Sequence, residues 1–121
     1  MLIGEWKTAT IPKYVADPPE PGTLSAEVNL GRAYETLLVV IPTIDSAVVN
    51  ILGAEKTAGT FQNVCVTDQA DGSKSKVITT PAGTGAFTWV VPIGGVQFIK
   101  VQTSNAQTTA ARNFRVCGVR S

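Results

Sequence analysis

Chemistry needs side chains that move protons, attack carbonyls or hold metals, and this chain of 121 residues has few of them. Histidine is absent, which removes the commonest general base and the commonest metal ligand. Cys65 and Cys117 therefore have no imidazole to activate them, and a thiol hydrolase is excluded. We read both as free, buried or half-buried thiols acting as small hydrophobes. A disulfide within or between chains is the alternative, and sequence does not place it. No Gly-x-Ser-x-Gly elbow, phosphate-cradling glycine loop or Cys-x-x-Cys spacing occurs.

Carboxylates offer slightly more. Asp45, Asp68 and Asp71 lie in turn-like stretches, where carboxylates and carbonyls can gather calcium. Their spacing is not that of an EF-hand, and aspartate starts turns by bonding its own backbone, so the turn reading is preferred. A glycosidase pair from Glu27 and Glu35, or from Asp68 and Asp71, would have to face across a cleft. Nothing in the pattern indicates one. The expectation is a non-enzyme with no catalytic residue, no metal and no cofactor.

Aromatic residues make up only 7% of the chain. Trp89, centred in a strand-like run, is expected in the core. Trp6 and Tyr14 stand in a segment with little apolar company, and exposed aromatics of this kind anchor interfaces. Trp6, Ile11, Tyr14 and Val15 are accordingly the expected partner-binding residues. A sugar-stacking platform would use the same residue types, which keeps a carbohydrate-binding module as the alternative.

The elements that must position these residues are strands. Phe87 to Thr103 reads as two strands joined by a Pro92-Ile93-Gly94-Gly95 turn, since proline and paired glycines suit a reversal. Phe87, Trp89 and Val91 share one face; after the turn Val96 and Phe98 face one way, Ile99 and Val101 the other. Further strands are expected at Ser25–Leu30, Tyr34–Ile41, Ala47–Leu52, Thr60–Val66, Lys76–Thr80 and Arg112–Val119, with an Asp-Gly reversal within 68–73. At most one helical turn is expected, near Leu30–Ala33. About eight short strands without internal repeats predict an all-β, single β-sandwich of jelly-roll type over residues 23–121.

Residues 1–22 differ. Ala16-Asp17-Pro18-Pro19-Glu20-Pro21-Gly22 must be extended and is a poor central strand. Two readings stand for this stretch: an extended N-terminal arm that packs on a neighbour, or a strand on the domain's own edge followed by a loop. An arm can complete another chain's open sheet edge.

Composition narrows the partners. The net charge is +1, so there is no electrostatic case for nucleic acid or an anionic membrane. Charged residues are 16% of the chain against roughly 25% in typical soluble domains, which suits an exterior covered by other proteins. No run reaches the roughly 18 apolar residues of a membrane span. Glu5, Trp6 and Lys7 stand where an export signal would need an apolar run, so no signal peptide is expected.

One resemblance emerges from the order of the strand segments. Ile41-Pro42-Thr43-Ile44-Asp45-Ser46-Ala47 leads into a strand, followed by Gly59-Thr60-Phe61-Gln62-Asn63, Phe98-Ile99-Lys100-Val101-Gln102-Thr103 and Arg112-Asn113-Phe114-Arg115-Val116. Over Ile41–Val119 this resembles small structural proteins of tailed bacteriophages, which are similar to jelly-roll cement (decoration) proteins of phage heads. The resemblance implies a place on the capsid exterior of a virion, the HK97-type major capsid protein as partner, and self-association as a homodimer or homotrimer. A tail or baseplate component is the neighbouring alternative.

Overall fold

The computed structural model describes residues 2–67 and 75–120, so the expected Asp-Gly reversal at 68–73, with Asp68 and Asp71, lies outside the described residues. Within them the chain is all-β: β1 (Leu2–Ile3), β2 (Lys7–Ile11), β3 (Val28–Ala47), β4 (Val49–Ala54), β5 (Gln62–Asn63), β6 (Cys65–Thr67), β7 (Ser75–Val77), β8 (Gly83–Thr103) and β9 (Arg112–Arg120). Seven of these form one antiparallel sheet in the order β1-β9-β3-β8-β4-β5, with β2 also on β9. β6 and β7 pair separately as a small hairpin.

The frame is a ribbon of two very long strands. β3 and β8 pair antiparallel from Val28↔Ile99 to Ala47↔Gly83. The expected turn at 92–95 is therefore not a hairpin, and β8 runs straight through it. Gly94 and Gly95 do adopt positive φ (70° and 100°), but they bend the ribbon at a point where the β3 register also slips, between Asn29 and Thr36. An irregularity on both strands turns the ribbon without ending its pairing. The helical turn expected at Leu30–Ala33 is replaced by this bend in β3.

The bend divides the sheet into two halves. In one, β1 and β2, then β9, then Thr36–Ile41, then Phe87–Pro92 lie side by side. In the other, Val28–Asn29, Ile99–Thr103, β4 and β5 do so, with Leu24 and Ser25 added beside Val101–Gln102. Ile11, Leu37, Val39, Val91, Phe114 and Val116 from the first half and Val28, Val49, Ile51, Ile99 and Val101 from the second meet in a single buried core. Period-two alternation does this: in β8, Val91, Ile93, Ile99, Val101 and Thr103 point in while their neighbours are exposed or half-buried. Trp89 packs against this core, as expected.

Tyr34 closes one end. Its ring lies directly over Gly118, and its hydroxyl reaches Gly4, so neither position has room for a Cβ. The few buried polar groups are satisfied. Ser25 N donates to Val101 O and Ser25 Oγ accepts from Val101 N, both at 2.9 Å; Thr80 Oγ1 accepts from Val49 N at 3.0 Å.

The N-terminal residues do not stand apart. β2 pairs with β9 over five positions, Lys7↔Val116 to Ile11↔Arg112, and buries Ala9 and Ile11. Of the two readings for residues 1–22, the domain's own edge strand describes this stretch, and the arm-to-sandwich boundary does not separate it from the core. The physical reason is the Thr8-Ala9-Thr10-Ile11 alternation, which gives β2 an apolar inner face matched to Phe114.

Candidate interaction surface

Four residues were expected to carry binding, and the structure treats them differently. Ile11 is 0% exposed and belongs to the core; as a contact residue it is corrected, because its side chain fills space beneath β9. Trp6, Tyr14 and Val15 are exposed. They are not brought into one patch: Trp6 precedes β2, whereas Tyr14 and Val15 follow its far end.

Tyr14 and Val15 sit at the neck of a closed turn. Val15 and Glu20 exchange backbone hydrogen bonds (3.0 and 2.8 Å), enclosing Ala16-Asp17-Pro18-Pro19. Gln107 ties this turn down, its carbonyl accepting from Tyr14 N at 2.8 Å and its N–H donating to Gly22 O at 2.9 Å. The proline-rich segment is thus ordered by the chain's own 104–111 loop.

That loop is held in turn by Asp45. Its carboxylate accepts from the N–H groups of Thr108 and Thr109 (2.6 and 3.1 Å), from both threonine hydroxyls (3.2 and 2.9 Å) and from Arg112 (3.1 Å). The Thr109 hydroxyl and the two backbone donors hold the Asp45 carboxyl down to a pKa of about 2. Every acceptor direction is used by protein donors; the expectation that Asp45 starts a turn of its own is corrected, since it lies in β3 and holds the Thr108–Thr109 loop. Glu27 is likewise committed: it accepts from the Thr57 hydroxyl and the Ala58 N–H, both at 2.7 Å, and these bonds lower its pKa. Among the described residues no group of three or more Cys, Asp or Glu side chains could hold a metal.

Cys117 and Cys65 are both free. Cys117 is buried, as expected, and desolvation pushes its thiol pKa up; its S–H donates to Gly4 O at 3.2 Å. Cys65 is exposed, which corrects the expectation that both would be at least half covered.

The surface that sequence reasoning missed is the outer face of the β1/β2-β9-β3-β8 half. The register sets side chains in rows across it: Ile3, Val119, Thr36 and Pro92; then Cys117, Leu38 and Val90; then Thr8, Arg115, Val40 and Thr88. Ile3 is 58% and Val90 61% exposed, and Val40 is exposed as well. The Glu5–Lys7 ion pair (3.3 Å) keeps those two side chains together, and Trp6, in the stretch between β1 and β2, is exposed. Arg115, bonded to the Thr8 hydroxyl, is the one charge in these rows. Strands 34–41 and 87–91 carry the signal for this face: they are apolar at both alternating positions, the pattern of a strand buried on both sides. A two-layer fold buries only one side.

A concave opening of about 790 Å³, lined by Ala33, Glu55, Lys56, Gln62 and Gln97 among others, has no aromatic residue in its lining. Trp89 packs against the core and Trp6 and Tyr14 lie at opposite ends of β2, so the three aromatics named for sugar stacking are not brought together.

Comparison with known proteins adds a fold. No protein family and no curated protein matches the sequence. Among solved structures, the SPBc2 prophage-derived protein YomS matches with a TM-score of 0.52 at 11% identity, over 98% of this chain and 95% of that one. The two share a fold. A family 32 carbohydrate-binding module from Clostridium perfringens NanJ, solved with galactose, matches at TM-score 0.43 and 12% identity over 96% of this chain and 99% of the module. A family 89 glycoside hydrolase from the same organism matches at 0.46 and 13%, over 97% of this chain but 14% of the enzyme. Of these three only YomS passes a TM-score of 0.5, and at such identity it speaks to the fold alone.

Proposed function

We propose that this chain is a non-enzymatic structural protein of a phage particle, a cement or decoration protein that lays its apolar outer sheet face on the outside of the capsid shell. The observation that carries the reading is the face built from Ile3, Leu38, Val40, Val90 and Val119, with Trp6 exposed in the stretch that joins β1 to β2. Monomeric soluble proteins rarely leave a contiguous apolar sheet face uncovered, and such faces mark protein interfaces. The fold shared with a prophage-derived protein and the low charge content support the setting.

The partner is a shell of the HK97-type major capsid protein, whose repeating surface offers many equivalent sites. A contact this size acts by burial of apolar area, not by reaction, and a clamp spanning neighbouring subunits gains from effective concentration. The residues assigned to binding are Trp6, Ile3, Val40 and Val90, with Tyr14 and Val15 as a second, separate contact. Co-sedimentation with undecorated shells tests this: the wild-type chain should pellet with shells, and Val40→Lys together with Val90→Lys should stay in the supernatant while remaining folded. Pelleting of the double variant at the wild-type level would contradict the assignment.

A further inference from the structure

Arg115 is an exposed cation set into the outer sheet face. Its neighbours there are Thr8 and Val40 across the register and Asn113 and Cys117 along β9, and all four are uncharged. Among the described residues no carboxylate forms an ion pair with it: Glu5 pairs with Lys7, and Asp45 with Arg112. Its one hydrogen bond among the described residues runs to the Thr8 hydroxyl. A guanidinium carries five N–H donors in a planar fork, so most of its donors are left to water. The nearby Asn113 amide is already engaged, its Oδ1 accepting from the Thr10 hydroxyl at 2.7 Å.

We propose that Arg115 is the specificity-determining residue of this face, and that it receives a carboxylate, an Asp or Glu side chain of the shell protein. The inference rests on the reading of the face as the shell contact. Laying that face on a partner takes Arg115 out of water, and a buried cation without a counter-charge costs more than the apolar area around it returns. Its own chain brings no acid to the spot, so the partner must supply one. A carboxylate matches the guanidinium fork with two parallel hydrogen bonds and cancels its charge. The bond to Thr8 fixes the side chain before binding, which reduces the ordering cost. Apolar area is non-directional and accepts many orientations. One fixed charge among Val40, Leu38 and Val90 selects the orientation that meets an acid and penalises the others.

The ordinary role of a charge on such a face is to keep it soluble, and the two roles predict opposite results when the charge is removed. The test is co-sedimentation of the full chain with undecorated HK97-type capsid shells, with circular dichroism of each variant. The wild-type chain should pellet. Arg115→Leu enlarges the apolar face, yet it should bind about thirtyfold more weakly or worse, because the partner's carboxylate is left buried without its cation. Arg115→Lys keeps the charge and loses the fork; at saturating shell concentration it should still pellet. A carbodiimide should then couple the introduced amine to an Asp or Glu of the shell protein, found as a cross-linked peptide spanning position 115. Equal or tighter pelleting of Arg115→Leu would overturn the proposal and leave the shell reading standing. Pelleting of Arg115→Lys with no coupling to a shell carboxylate would overturn the carboxylate assignment. Failure of the wild-type chain to pellet would overturn the shell reading, and this inference with it.

Discussion

Gln107 and Asp45 hold one another from both sides of a peptide: Gln107 Oε1 accepts from Asp45 N at 2.8 Å, and Gln107 Nε2 donates to Asp45 O at 3.3 Å. Gln107 is fully buried, and its own backbone carries Tyr14 and Gly22. One residue, through its side chain and its backbone, thus links the end of β3, the 104–111 loop and the proline-rich turn. Gln107→Ala leaves the Asp45 N–H without its acceptor, and should lower stability by about 1–3 kcal/mol in urea titration. Limited proteolysis should then cut first within residues 12–22.

Acid should act through Asp45. Its folded pKa, about 2, lies below its ordinary value of 3.8, so its contribution to stability is present above about pH 4 and is lost as pH falls through about 2. Urea midpoints measured from pH 5 down to pH 2 should fall over that window. Asp45→Asn should start from a lower midpoint and show a shallower fall.

Gly118→Ala would place a methyl group inside the Tyr34 ring. Overpacking of this kind costs about 1–3 kcal/mol, and thermal unfolding should register it as a lower Tm. Tyr34→Ala, destabilising alone, should remove the extra penalty in the double variant, which a double-mutant cycle will read as strong coupling.

Ile11 and Trp6 should separate stability from binding. Ile11→Ala opens a cavity in the core and should cost about 2–5 kcal/mol. Trp6→Ala, at an exposed site, should change stability by no more than about 0.5 kcal/mol while weakening shell binding.

Much of this architecture is legible in the sequence because alternation is local. Arg112–Val119 reads as a strand and β9 spans Arg112–Arg120; the inward set Val91, Ile99 and Val101 follows from period two. What alternation cannot report is pairing. Pro92-Ile93-Gly94-Gly95 has the chemistry of a reversal, but Tyr34 to Thr36 runs alongside it, so the chain bends instead of turning back. The same limit hid the apolar outer face. Apolar residues on both sides of Tyr34–Ile41 suit a central strand, and only the two-layer architecture shows that Leu38 and Val40 face outward. Ile11 failed as a contact for a related reason: Phe114, over a hundred residues away, is what Ala9 lies beside.

Thiol labelling will check how the sheet face is closed. Cys65 is exposed and Cys117 is buried with a raised pKa. A thiol reagent should therefore modify one cysteine per native chain and two in denaturant. Rapid native labelling of both would place Cys117 in contact with solvent.

The central claim is that the outer sheet face, not a reaction site, is what this molecule uses. The most direct measurement is co-sedimentation of the wild-type chain and the Val40→Lys, Val90→Lys double variant with undecorated HK97-type capsid shells, alongside circular dichroism of both. The account predicts saturable pelleting of the wild-type chain and loss of pelleting for the variant, with unchanged β-type spectra. Equal pelleting of the two, or no pelleting of either, would contradict it.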